Sequence, residues 1–178
     1  MNIVITGKRN SGKTTLVNDV ISTLGFKTSG YRTIPYQKYD IGWSYAMESL
    51  VTFQKEAISY CDGIGMKGIT ETFETFGVKC LKQSLQGDDI IVLDEIGRFE
   101  RHSYTFLSMI DEILRSSKFV LAVVKAEPID YLEDIKSKQA DLLIDLDQIS
   151  YDYAKELILS KLKSEGSLNE NEACKNNA

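Results

Sequence analysis

Histidine is almost absent from this chain, His102 being its only one. Cysteine is sparse too, with Cys61, Cys80 and Cys174 far apart and no Cys-x-x-Cys pair. These scarcities exclude a structural zinc site and a disulfide framework, both of which need ligands or cysteines in short, regular pairs. They also leave no cysteine with an imidazole nearby in sequence, so idle or buried thiols in a reducing compartment are the plainer reading. Positive charge is in deficit, 21 Lys and Arg against 26 Asp and Glu for a net charge of −5. No basic block stands out, and a surface that tracks nucleic-acid phosphates is not indicated. Long apolar runs are missing as well. The run at the start is only Ile3 to Ile5, too short for a signal peptide, and nothing approaches the ~18 apolar residues that span a bilayer. The expected setting is cytoplasmic, with no membrane partner.

What is present is an ordinary globular composition. The chain has 178 residues, 43% apolar and 26% charged, enough for one domain with a core that needs no covalent brace. That domain is expected over residues 1–164. Residues 165–178 carry one leucine and no periodicity, and read as a disordered tail.

Hydrophobic periodicity supplies the elements. Asn2–Thr6 reads as a buried strand ended by Gly7, and Lys13–Leu24 as a helix with Leu16, Val17, Val20 and Ile21 at helical spacing and Gly25 as its stop. From Phe26 to about Phe53, aromatics mix with small polar residues, which predicts two or three short antiparallel strands. Ile69–Gln86 contains a helix of uncertain start, Asp89–Glu95 is the clearest central strand, and His102–Ser116 is an amphipathic helix. Lys118–Val124 is a third buried strand. A short helix near Ile129–Lys136, a short strand Leu142–Leu146 and a helix from Tyr151 to Leu162 follow. Strands alternating with helices indicate an α/β sheet covered on both faces.

Two stretches carry chemistry. Gly7-Lys8-Arg9-Asn10-Ser11-Gly12-Lys13-Thr14 fits the phosphate-loop (Walker A) pattern G-x-x-x-x-G-K-[ST] at every fixed position, after a strand and before a helix. Glycines let backbone N–H groups turn inward around an anion, and the helix adds its free N-terminal N–H groups and dipole. Lys13 would reach the β- and γ-phosphates of a nucleoside triphosphate and the Thr14 hydroxyl would ligate Mg²⁺, with Thr15 following in the loop's reach. Arg9 and Asn10, at the apex, are either neighbours of the γ-phosphate or solvent-exposed.

The second stretch, Ile90 to Glu100, is an apolar strand ending in two acids (Walker B). Asp94 would hold Mg²⁺ through water. Glu95, one residue on, faces the opposite side in strict strand geometry. Where the strand ends and the chain turns, it would reach the phosphate and act as general base for an attacking water. Arg98 is either a cation supplied in cis to the transferred phosphoryl group or a salt-bridged surface residue.

Together "VITGKRNSGKTTL" and "IIVLDEIGRFE" resemble the THEP1-type nucleoside-triphosphatase family, whose second motif reads close to V-D-E-I-G-K-M-E. Gly30-Tyr31-Arg32-Thr33 resembles that family's G-F-x-T, and Gly42-Trp43 its later Gly-Phe. The resemblance implies a RecA-like P-loop three-layer sandwich: a mostly parallel sheet with an antiparallel extension. It also implies Mg²⁺-dependent hydrolysis of nucleoside triphosphates with broad base tolerance. Ile34-Pro35-Tyr36-Gln37 stands where the family has an acid and an arginine, and no Asn-Arg pair precedes the last helix.

No guanine-reading N-K-x-D is present. Val124-Lys125-Ala126-Glu127 occupies the corresponding place, with Lys125 either stacked under a purine or solvated in a loop. Tyr31, Tyr36, Trp43 and Tyr45 read as sheet packing before a stacking platform. Two other activities fit a phosphate loop. A nucleotide-kinase-like phosphotransferase would carry an Arg-rich lid, but Ile110–Ile144 holds only Arg115. A nucleotide-dependent binding module is the other. Preferred base and oligomeric state are not readable.

Overall fold

A computed structural model describes residues 1–87 and 89–175, with side chains as far as Ser164. Its centre is a seven-stranded sheet in the order β4-β3-β2-β7-β8-β1-β9. The strands are β1 (Asn2–Thr6), β2 (Thr28–Tyr39), β3 (Gly42–Ser49), β4 (Lys55–Ala57), β7 (Ile90–Ile96), β8 (Val120–Val124) and β9 (Leu142–Asp145). From β2 through β7, β8 and β1 to β9 all neighbours run parallel, while β3 and β4 extend the sheet antiparallel. A separate hairpin of β5 (Ser59–Cys61) and β6 (Met66–Gly68) follows the extension.

Side-chain alternation along the parallel strands builds two cores. Val4, Ile91, Leu93, Val120 and Ala122 face α3 (Val78–Gln86) and α4 (Tyr104–Arg115), where Leu81, Phe106, Ile110 and Ile113 meet them. Ile3, Ile5, Ile90, Val92, Leu121 and Val123 face α1 (Lys13–Leu24) and α6 (Tyr151–Lys175), packing on Leu16, Val20, Ala154 and Ile158. Being buried on both faces explains why these strands read as unbroken apolar runs. Each fully buried Ile, Leu or Phe adds roughly 1.5–3 kcal/mol, so both helical layers are held mainly by this contact. Tyr31 belongs to the first core, its ring 5.7 Å from that of Phe106.

The expected bounds of β1 and α1 are met, and Gly25 ends α1 in the left-handed region with its N–H donating to Ile21 O. Elsewhere the chain departs from expectation. The aromatic segment is one long strand, β2, followed by β3. The first part of β2, Thr28–Tyr31, pairs parallel with β7, and the antiparallel pairing with β3 begins only at Tyr31, opposite Ser49. The Ile69–Gln86 helix is broken into a short turn α2 (Thr70–Thr72), a π-helical turn Phe73–Gly77 and α3. Likewise α5 (Asp130–Asp134) passes into a π-helical turn Ile135–Gln139. Helix α6 runs on to Lys175, over much of the stretch assigned to a tail, and residues 176–178 of that stretch lie outside the described ones. Among the described residues no helix is long and apolar enough to cross a membrane.

Candidate active site

The C-terminal edges of β1, β7 and β8 converge on one cavity, as parallel sheets favour. The loop from Gly7 to Gly12 leaves β1 there and opens α1 through Gly12, whose φ of +92° suits a residue without a side chain. No side chain caps α1, and its first turn carries no acid, so the helix presents bare N–H groups and its positive dipole end. The Lys13 ammonium lies back across the loop, donating to Gly7 O at 2.9 Å, Lys8 O at 2.5 Å and Ser11 Oγ at 3.3 Å. Burial lowers its pKa from the ordinary lysine value, against the raising pull of Glu95 and Asp147. Asp147, in the turn after β9, accepts the Lys8 N–H on both carboxylate oxygens at 3.1 and 3.2 Å.

Across the cavity stands the acidic strand. Thr14 Oγ1 donates to Asp94 Oδ1 at 3.0 Å, and Thr33 Oγ1 donates to the Asp94 carbonyl at 2.9 Å. Asp94 is only 3% exposed, and burial pushes its carboxyl up to about 6 despite the Thr14 hydrogen bond. A hydroxyl and a carboxylate oxygen side by side at the foot of a phosphate loop form a hard-oxygen pair that suits Mg²⁺, whose remaining ligands come from phosphate and water. The residues present therefore fit that ion.

Glu95 is placed by a β-bulge. The β7–β8 register shifts between Asp94 and Ile96, and Glu95 has a φ of +79°. Strict alternation would send Glu95 into the first core and Ile96 into the second. Instead Ile96 packs with Leu93 in the first core, and the extra residue swings its side chain out to the cavity wall. The expectation that Glu95 turns where the strand ends is thus corrected: the strand continues to Ile96 and the bulge does the turning. The Glu95 carboxylate pairs with Lys125 Nζ at 2.7 Å.

The cavity encloses about 850 Å³. Of the residues singled out in the sequence, Gly7, Lys8, Arg9, Asn10, Gly12, Lys13, Thr14, Thr15, Glu95 and Arg98 line it. Ser11 accepts from Lys13, and Asp94 sits behind Thr14. Arg98 leans on the Phe99 ring, 5.5 Å from its centroid, and no salt bridge is formed by it among the described residues. Lys125 is not solvated in a loop, since its ammonium pairs with Glu95.

Trp43 and Tyr45 line the far wall, Tyr45 accepting from Arg9 Nη2 at 3.3 Å, whereas Tyr31 is core and Tyr36 is exposed away from the cavity. Sequence reading missed Thr33, Met66 and Asp147. Thr33 had a signal, the last position of Gly-Tyr-Arg-Thr. Met66 and Asp147 had none, because only folding brings the small hairpin and the β9 turn to the loop.

A family model described as NTPase matches residues 2–159. The chain is 30% identical over 142 residues to the nucleoside-triphosphatase THEP1 of Methanocaldococcus jannaschii, covering 75% of this chain and 84% of the relative. It is 28% identical over 172 residues to the Thermotoga maritima protein of the same name, covering 92% and 96%. The crystal structure of THEP1 from Aquifex aeolicus superposes with a TM-score of 0.76 at 24% identity, over 91% of this chain and 99% of that one. The solution structure of a human cancer-related nucleoside triphosphatase gives 0.69 at 19% identity, over 92% and 97%. Both structures share the P-loop fold. With a phosphate loop, an acidic strand and a family model that spans most of its length, this chain belongs to the THEP1-type nucleoside-triphosphatase family.

Proposed function

We propose that the chain hydrolyses nucleoside triphosphates, ATP and GTP among them, to the diphosphate and phosphate, with Mg²⁺ as cofactor. The observation that carries this reading is the bulge that brings Glu95 into the same cavity as Lys13 and the Thr14–Asp94 pair. The phosphate loop and the α1 N-terminus hold the polyphosphate, and Lys13 moves from the loop carbonyls onto the β- and γ-phosphate oxygens. Thr14 and Asp94 would hold Mg²⁺, which when bound neutralises charge on those oxygens. Glu95 accepts a proton from the attacking water as its oxygen bonds to the γ-phosphorus and the bond to the bridging oxygen breaks. The proton then leaves with the phosphate product. Arg98, exposed and resting on Phe99, supplies positive charge to the equatorial oxygens.

Phosphate release from ATP and GTP is the test, by wild type and by Glu95→Gln. The amide should lower turnover about 10²–10⁴-fold, the usual worth of a general base, with nucleotide binding retained. Equal turnover by both proteins sinks the role given to Glu95. Transfer of the γ-phosphate to an added nucleoside, with little free phosphate, would turn the reading toward a phosphotransferase.

A further inference from the structure

The base proposed for this reaction is not at liberty. Lys125 Nζ lies 2.7 Å from Glu95 Oε1, with the two side chains 26% and 31% exposed on the cavity wall. An ion pair so placed neutralises the carboxylate where a water would need it. The pair is also built with care. Lys125 follows β8 directly, and its N–H donates to Ile96 O at 2.9 Å, beside the bulge. Its aliphatic stem crosses Gly97, where an added Cβ would stand 2.7 Å from Lys125 Cδ. Any larger residue at 97 would push the lysine off its course. The ammonium also lies 5.5 Å from the centroid of the Phe99 ring, a second favourable resting place close to the first.

A second ammonium, that of Lys13, lines the same cavity. Lys13 feels both Glu95, which raises its pKa, and Lys125, which lowers it, so all three charges share the mouth of the phosphate loop. A terminal phosphate arriving on that loop carries more negative charge than a single carboxylate and competes for the same cation. A diphosphate ends one phosphoryl group short and does not compete.

We propose that Lys125 reads the γ-phosphate: its ammonium holds Glu95 in the nucleotide-free chain, passes to the terminal phosphate of a bound triphosphate, and so frees the carboxylate for water. This deepens the hydrolysis reading above and rests on the role given there to Glu95. Lys125 becomes the group that lets the site tell substrate from product. No bond is made or broken in the exchange, only an ion pair traded for another.

Calorimetric binding of a non-hydrolysable triphosphate analogue and of the matching diphosphate, both with Mg²⁺, tests this. Lys125→Gln should weaken the analogue by about tenfold or more, the usual worth of a charge-assisted hydrogen bond, and leave the diphosphate within about twofold. Lys125→Arg should restore most of the analogue's advantage. Glu95→Gln, which removes the competitor for the cation, should tighten the analogue and not the diphosphate. Equal loss for both ligands in Lys125→Gln, or no loss for either, overturns the proposal. So does an unchanged analogue affinity in Glu95→Gln, which decides the matter even if the lysine variants fold poorly. Phosphate release by Glu95→Gln at the wild-type rate would instead sink the general base and leave the Lys125 measurement standing.

Discussion

Glu100 is a buried carboxyl that forms no salt bridge among the described residues. It lies beneath the acidic loop, where Oε1 accepts the Gly97 N–H at 3.1 Å and Oε2 has no hydrogen-bond partner among those residues. Burial pushes its pKa up to about 8, so the folded protein keeps it protonated at neutral pH. A folded-state pKa above the unfolded value means the contribution to stability is full at low pH and is lost as pH rises. For Glu100 the window runs from its ordinary value of 4.5 to about 8. Glu100→Gln keeps the acceptor for Gly97 and removes the titration. The variant should gain stability over wild type across that window, on the order of 5 kcal/mol in total. Urea unfolding at the two ends of the window checks this, and parallel curves for the two proteins would contradict the buried-proton account.

At the scale of elements, the close approach of β2 to β7 is what sets the acidic strand in place. Gly30 has a φ of +97°, and a Cβ there would lie 2.1 Å from the Val92 carbonyl oxygen. Gly30→Ala must therefore push two strands apart two residues before Asp94. It should cost about 3 kcal/mol or more and lower phosphate release together with stability. A loss under about 1 kcal/mol in denaturant unfolding would mean that β2 can yield. The Gly-Tyr-Arg-Thr resemblance marked this position, yet only the register shows its reason. β1 and α1 were legible to the residue, since a buried run, a glycine loop and a glycine stop are local signals. The length of β2 was not, because its first third is parallel to a strand some sixty residues on in the chain, as the Thr28–Ile90 pairing shows. Nor was the β5–β6 hairpin, whose three-residue strands are too short for any period to show.

For the whole molecule, the sheet order matters most. β8 lies between the loop strand β1 and the acidic strand β7, and chain segments far apart in sequence, including those of Trp43 and Met66, wall the cavity together. A ligand that bridges them stabilises the entire fold by linkage. A triphosphate analogue at 100 times its Kd should add about 2.7 kcal/mol to unfolding, seen as a rise in Tm that grows with concentration. No rise under conditions where calorimetry detects binding would mean that the loop binds without joining the strands. The sequence by itself determined the glycine loop between β1 and α1, the apolar strand that carries Asp94, and the α/β class. Each is a local pattern whose spacing follows from backbone geometry. Which way Glu95 faces was decided only by tertiary structure, because one extra residue between Asp94 and Ile96 reverses the parity that any strand rule assumes. The partner of Lys125 was decided there too. It stands thirty positions after Glu95 along the chain, and only the pairing of β7 with β8 closes that distance to an ion pair.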